Sequence, residues 1–205
     1  MKNTMLFGIT LAAITLLIGC EKEPLNDLNK ISGSGEIITK QLELATISHV
    51  ELEGVANLYI TVGSGQSVTL KAQQNIIDVL NWEVRAGILT ISMDEGITIH
   101  NHDEIRFEVV VNELFEVVHD GVGDVTLSGI SDHNLSIDFR GVGNVDAYDL
   151  PVENCTVYSS GLGDCKVNVS SYLEVDISSA GNVYYIGNPE INSNDTGLGD
   201  LINDN

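Results

Sequence analysis

Basic side chains are scarce in this chain: nine Lys and Arg stand against 30 Asp and Glu, for a net charge of −21. From Phe107 onward the only basic residues are Arg140 and Lys166. A nucleic-acid-binding surface must neutralise phosphates, so that class is excluded. Anionic lipid headgroups would be repelled for the same reason. Helical periodicity is nearly absent, and only Asn75 to Leu80 suggests a turn or two. The apolar run Met5 to Ile18 falls short of the roughly 20 residues of a membrane-crossing helix. It follows Lys2 and has the length of a signal-peptide apolar region. No Gly-x-Ser-x-Gly elbow occurs and no cysteine–histidine pair stands out, so no catalytic residue is assigned and no cofactor is implied.

Cysteine is also rare, with three in the chain. The first ends the segment Leu17-Ile18-Gly19-Cys20, which resembles the lipobox of bacterial lipoproteins. The resemblance implies a signal peptide over residues 1–19, lipidation of Cys20, and attachment to a membrane without spanning it. Acyl chains hold such a protein by about 0.8 kcal/mol per buried methylene. The alternative is an ordinary secretory signal with a chance cysteine. Residues 20–32 are polar and read as a tether. Glu21-Lys22-Glu23 resembles the surface-export signal of Bacteroidetes lipoproteins, which leaves the outer membrane or the cell surface as the location. Cys155 and Cys165 either form a disulfide across one coil or remain as two small buried thiols. Nothing in the sequence sets their Cα separation, and the reading favours buried thiols.

What the chain has in abundance is alternation with period two, as in Leu58-Ile60-Val62 and Ile105-Phe107-Val109-Val111, broken at short intervals by glycine. That is an all-β pattern of many short strands. Within it a turn recurs: Gly121-Val122-Gly123-Asp124, Gly141-Val142-Gly143-Asn144 and Gly161-Leu162-Gly163-Asp164, then Ser179-Ala180-Gly181-Asn182 and Gly197-Leu198-Gly199-Asp200. Copies spaced by about twenty residues leave room for two strands of about five residues each. Stacked units place equivalent residues about 4.8 Å apart. The expected fold is therefore a parallel β-helix, a two-sheet solenoid with about 20 residues per coil. Its regular part spans residues 113–205, and an irregular β half over 33–112 caps one end, the two forming one domain from 33 to 205. Val125, Val145, Cys165, Val183 and Leu201 should form one inward column, and Leu135, Cys155 and Leu173 another. Gly33-Ser34-Gly35 and Gly54-Val55-Ala56-Asn57-Leu58 look like worn copies of the turn, and Arg85-Ala86-Gly87 marks a hairpin. Glycine at each corner supplies positive φ and close backbone approach, and the following Asp or Asn bonds to neighbouring N–H groups.

The Gly121, Gly141, Gly161 and Gly197 turns, with the Gly54 to Leu58 pattern, resemble the putative auto-transporter adhesin, head GIN domain family of Bacteroidetes exported lipoproteins. The likeness covers about Ser34 to the end. It implies a β-helical superhelix, a role in adhesion and no established catalytic site.

Candidate sites follow from the stacking. The column Asp124, Asn144, Asp164, Asn182 and Asp200 offers oxygen ligands. Its carboxylates, however, lie about 9.6 Å apart, twice the sheet spacing, too far to share an ion that takes oxygens at about 2.3–2.6 Å. The column therefore reads as structural. His100 and His102 would face one side of a strand and hold a transition metal, although no third ligand is evident and a loop fits equally well. His119 and His133 read as surface residues. Carboxylate pairs such as Asp138 with Asp176, or Asp146 with Asp164, read as solvated faces, with Arg140 the lone cation of the central coils. Tyr158 and Tyr184 fall on outward phases and suit a contact surface. Val122, Val142, Leu162 and Leu198 form either an exposed stripe or packing beneath the turns. The expected function is a non-catalytic adhesion or surface-interaction head, with a glycan or a cell-surface protein as partner. A glycan-binding or pectate-lyase-like module and an envelope-structural protein are the alternatives.

Overall fold

The computed structural model describes residues 29–131 and 133–205; the expected signal segment and Cys20 lie outside the described residues. The architecture is all-β. Along the chain come β1 (Lys30–Ser32), β2 (Ile37–Leu42), β3 (His49–Leu52), β4 (Asn57–Val62) and β5 (Ser67–Gln73). A four-residue helix α1 (Gln74–Ile77) follows, buried through Ile76 and Ile77. Then come β6 (Leu80–Arg85), β7 (Ile88–Met93), β8 (Thr98–His100), β9 (Arg106–Val111), β10 (Glu116–His119), β11 (Val125–Gly129) and β12 (Leu135–Phe139). The last five are β13 (Val145–Ser159), β14 (Cys165–Ile177), β15 (Val183–Ile186), β16 (Glu190–Asp195) and β17 (Leu201–Asn203). Among the described residues no helix is long and apolar enough to cross a membrane.

The repeat sets the strand pairing. β11 pairs in parallel with the start of β13, that with the start of β14, then β15 and β17, so Val125, Val145, Cys165, Val183 and Leu201 are directly aligned. A second row runs from β10 through β12 and the far limbs of β13 and β14 to β16, aligning Leu135, Cys155 and Leu173. β13 and β14 belong to both rows, because the chain stays extended around the bend and shifts register there. The aligned residues are buried except Leu201, which is partly covered at the last rung. Each buried Val or Leu side chain contributes about 1.5–3 kcal/mol, and stacking makes those contributions continuous along the core.

The N-terminal half departs from chain order. β3 sits between β7 and β10, and β4 between β9 and β11, all in parallel register. Residues 88–111 therefore add their strands beyond 49–62, although they follow them in sequence. The Gly54 copy of the turn is in register, since Val55 bridges Val122. The Gly33 copy is not: it joins β1, which forms a separate two-stranded sheet with β8, to β2. The parallel rows give way to antiparallel pairs, β6 on β7 and β2–β5–β9. The β6–β7 hairpin turns through Ala86 and Gly87, whose φ values of 51° and 84° suit the two-residue loops that match strand twist.

At the corners the two glycines do different work. Gly143 has φ of 134°, and a Cβ there would overlap the Gly123 carbonyl oxygen of the preceding corner. Gly141 has ordinary φ, but a Cβ would overlap the Gly121 carbonyl oxygen and strike the His119 ring 2.7 Å away. Positive φ is thus confined to the second glycine of the first three copies. At Gly181 and Gly199 only close approach requires glycine.

Candidate functional site

The residue after each corner builds a ladder. Asp124 N–H donates to Asn57 Oδ1 at 2.9 Å, Asn144 N–H to Asp124 Oδ1 at 2.8 Å, and Asp164 N–H to Asn144 Oδ1 at 3.1 Å. Asn182 N–H donates to Asp164 Oδ1 at 2.9 Å, and Asp200 N–H to Asn182 Oδ1 at 3.0 Å. Each side-chain oxygen thus satisfies a backbone donor of the next corner. Asn57 extends the alternation of Asn and Asp by one rung. The sequence places it in a worn copy of the turn but not in the column, because 67 residues separate it from Asp124.

Two residues earlier stand Val122, Val142 and Leu162, joined by isolated parallel bridges in one row with Val55. Val122 and Val142 are about half exposed, Leu162 is 64% exposed, and Leu198 88%. These side chains form a ridge in solvent rather than packing under the turns.

Two residues past each ladder position lies a further outward row, Tyr59, Thr126, Asp146, Lys166 and Tyr184, in direct register. Lys166 Nζ is 4.0 Å from Asp146 Oδ2 and 5.5 Å from the centre of the Tyr148 ring. The Tyr148 hydroxyl donates to Asp204 Oδ2 at 2.9 Å. Burial, together with that carboxylate, pushes its pKa upward. Tyr184 is half-buried, its hydroxyl accepting from Asn182 Nδ2 at 3.1 Å. The ladder and this row enclose a shallow groove of about 420 Å³, lined by Asp124, Thr126, Asn144, Asp146, Asp164 and Lys166.

On the other row of strands Tyr158 is exposed and aligned between Asp138 and Asp176. Arg140 lies 3.5 Å from Asp138 and 4.0 Å from Asp120. Asp138 and Asp176 are two rungs apart, about 9.6 Å, so Tyr158 separates them.

His119 is a correction. It was read as a surface residue, yet it is fully buried, aligned with Leu52 and Phe139 on the inward phase of β10. The alternation Val117-Val118-His119 carried that signal. Nε2–H donates to Gly123 O at 2.7 Å, the ring packs 5.2 Å from Phe139, and Nδ1 has no hydrogen-bond partner among the described residues. Burial pulls its pKa down, against the Gly123 bond and the charges of Asp124 and Asp120. His133 is part-exposed, with Nε2 3.6 Å from Glu113 and its ring 4.9 Å from Phe115. His100 ends β8, and His102 follows Asn101, whose φ of 44° breaks the strand, so the pair does not share a strand face. Among the described residues no three His, Cys, Asp or Glu groups are placed to hold a metal. Cys155 and Cys165 are free and buried; burial pushes the Cys155 thiol up to about 12 and Cys165 well above its ordinary value.

Comparisons with known proteins point the same way as the turns. A sequence profile described as "putative auto-transporter adhesin, head GIN domain" matches residues 46–138 and again 103–189. Among solved structures, a putative adhesin from Bacteroides fragilis NCTC 9343 is 19% identical, aligned over 84% of this chain and 99% of that chain with a TM-score of 0.56. A putative lipid binding protein from Parabacteroides distasonis ATCC 8503 is 17% identical over 86% of this chain and 100% of that one, with a TM-score of 0.46. A putative adhesin from Parabacteroides merdae ATCC 43184 is 14% identical over 86% and 100%, with a TM-score of 0.39. The Bacteroides fragilis likeness shows the fold. No curated protein matches the chain.

Proposed function

The chain belongs to the putative auto-transporter adhesin, head GIN domain family, and from that premise we propose that it is an exported adhesion head. In this reading Cys20 carries the lipid that holds it to the outer membrane or cell surface, and residues 20–32 are the tether. Residues 33–205 act as one parallel β-helix of two main sheets, with 33–112 as its irregular capping half. They present a rigid, non-catalytic face to a glycan or a cell-surface protein. The family assignment and the likeness to the Bacteroides fragilis putative adhesin support adhesion and an envelope location.

The observation that carries the reading is the ridge of Val122, Val142, Leu162 and Leu198. These apolar side chains stand in water although every neighbouring inward position is filled. Their corners are bonded coil to coil: Val142 N–H donates to Gly121 O at 2.9 Å and Leu162 N–H to Gly141 O at 2.8 Å. An ordered apolar row in solvent is the kind of surface that association covers. Beads coated with the full chain should adhere to target cells, and Leu162→Ser with Leu198→Ser should lower adhesion at least tenfold without changing the melting temperature. Adhesion at the original level by that folded variant contradicts the reading. Cys20→Ala should abolish incorporation of labelled palmitate.

A further inference from the structure

The groove beside the ridge has a chemistry that narrows the partner. Its two walls are outward rows on either side of an inward residue. Val125, Val145 and Cys165 point into the core, which leaves Asp124, Asn144 and Asp164 on one side and Thr126, Asp146 and Lys166 on the other. The rungs recur at the strand spacing of about 4.8 Å, so the groove is a short two-row grid rather than an isolated pocket.

The ladder consumes only one oxygen of each carboxylate. Asp124 Oδ1 is held by the Asn144 N–H and Nδ2, and Asp164 Oδ1 by the Asn182 N–H. The second oxygen of each accepts no hydrogen bond from the described residues, and the Thr126 hydroxyl has no partner among them. Asp146 is fixed in the same manner, its Oδ1 accepting the Tyr148 N–H at 3.1 Å. Three carboxylates are therefore oriented by backbone before any ligand arrives, which lowers the ordering cost of binding.

Such a grid offers many acceptors against few donors: the Lys166 ammonium, the Thr126 hydroxyl and the one N–H of Asn144 Nδ2 that Asp124 does not take. It asks for a ligand bearing several O–H or N–H donors in succession and no negative charge. A metal ion fails this test, because ladder carboxylates two rungs apart are about 9.6 Å from each other. A pyranose chain meets it: adjacent hydroxyls on each ring donate to carboxylates, and Lys166 donates to a ring or bridging oxygen. Tyr184 continues the Lys166 row, and Tyr148 lies beside it, with both hydroxyls tied to neighbours. Aromatic rings held this way give the C–H face of a sugar an apolar surface with a polar rim. The volume of about 420 Å³ falls within the range of small-molecule sites, roughly 300–1,000 Å³.

We infer that the groove between the Asp124–Asn144–Asp164 ladder and the Thr126–Asp146–Lys166 row binds an oligosaccharide free of negative charge. This inference rests on the adhesion reading and names the partner class for it.

The test is a glycan array carrying uncharged, amino-substituted and uronic or sialylated oligosaccharides, probed with the full chain, followed by titration of the best sugar. Saturable binding to uncharged or amino-substituted sugars is expected, with the acidic ones unbound. Thr126→Val and Asp146→Asn keep the ladder and the Tyr148 bond intact. Each should weaken sugar binding at least tenfold at an unchanged melting temperature. An empty array, a preference for acidic sugars, or full-strength binding by both folded variants overturns the inference. The two readings separate cleanly. Cell adhesion by a chain that binds no sugar removes the groove alone, whereas sugar binding without cell adhesion removes the adhesion role.

Discussion

Acidification should weaken this fold through one buried imidazole. His119 lies in the core with Nε2–H bonded to Gly123 O and Nδ1 without a hydrogen-bond partner among the described residues. Protonation would place a charge on Nδ1 among Phe139, Gly141 and the Leu52 row. Burial therefore holds the folded pKa below its ordinary value, although Asp124 and Asp120 pull the other way. An unfolded histidine titrates near 6.5. Above that pH neither state binds the proton and stability is at its full value. As pH falls through about 6.5 the unfolded chain takes up a proton that the folded chain refuses. Stability then declines by up to about 1.4 kcal/mol per pH unit, levelling once pH passes below the folded pKa. The assay is urea denaturation at half-unit steps from pH 7.5 to 5, for the native chain and for His119→Leu, the residue type its aligned neighbour Leu52 already uses. At pH 7.5 the variant loses one hydrogen bond and sheds one unpaired polar atom, terms of about 1 and 1–3 kcal/mol that oppose each other. The diagnostic is slope: the variant's stability should be flatter between pH 6.5 and 5. Parallel curves would refute the reasoning, as would an imidazole resonance that titrates at the unfolded value in the folded protein.

Other perturbations test the corners and the ladder. Gly143→Ala should cost at least about 3 kcal/mol by denaturant titration, since strain at such φ is about 1–3 kcal/mol before the overlap with Gly123 O is added. Gly35→Ala, with positive φ of 83° but open space around it, should cost about 1 kcal/mol. Asp164→Ala strips the Asn182 N–H of its acceptor and should lose about 1–3 kcal/mol, whereas Asp164→Asn keeps the acceptor and should lose less than about 1 kcal/mol. Cys155 and Cys165 should resist a thiol reagent at pH 8 in the native protein and react promptly in denaturant, because burial keeps both protonated; prompt reaction in the native state would show that the core is open there.

Much of the C-terminal half was legible because its repeat is local. Twenty residues contain one inward set, one corner and one Asp or Asn, so equal spacing in the chain becomes direct register between strands, as with Val125, Val145 and Cys165. The ladder's residues were legible too, but their bonds were not: which oxygen meets which N–H depends on how one strand is aligned with the next. The N-terminal half hid its order. Its strands follow the same alternation, yet β3 and β4 lie between segments that come later in the chain. No period of the sequence records an insertion of that kind. His119 was misread because residue type was weighed above phase; polar character argues for the surface, and position on β10 argues for the core.

By itself, then, the amino-acid order determined an all-β chain with a twenty-residue rhythm, glycine where backbones touch, and a net charge of −21. Those properties arise from neighbours in sequence, whose spacing and sterics are set before folding. Only the tertiary structure decided that residues 88–111 lie beyond 49–62, that a histidine enters the core, and that two outward rows face a common groove. Such relations join segments tens of residues apart, and they exist only once burial of the shared apolar columns has chosen which strands lie side by side.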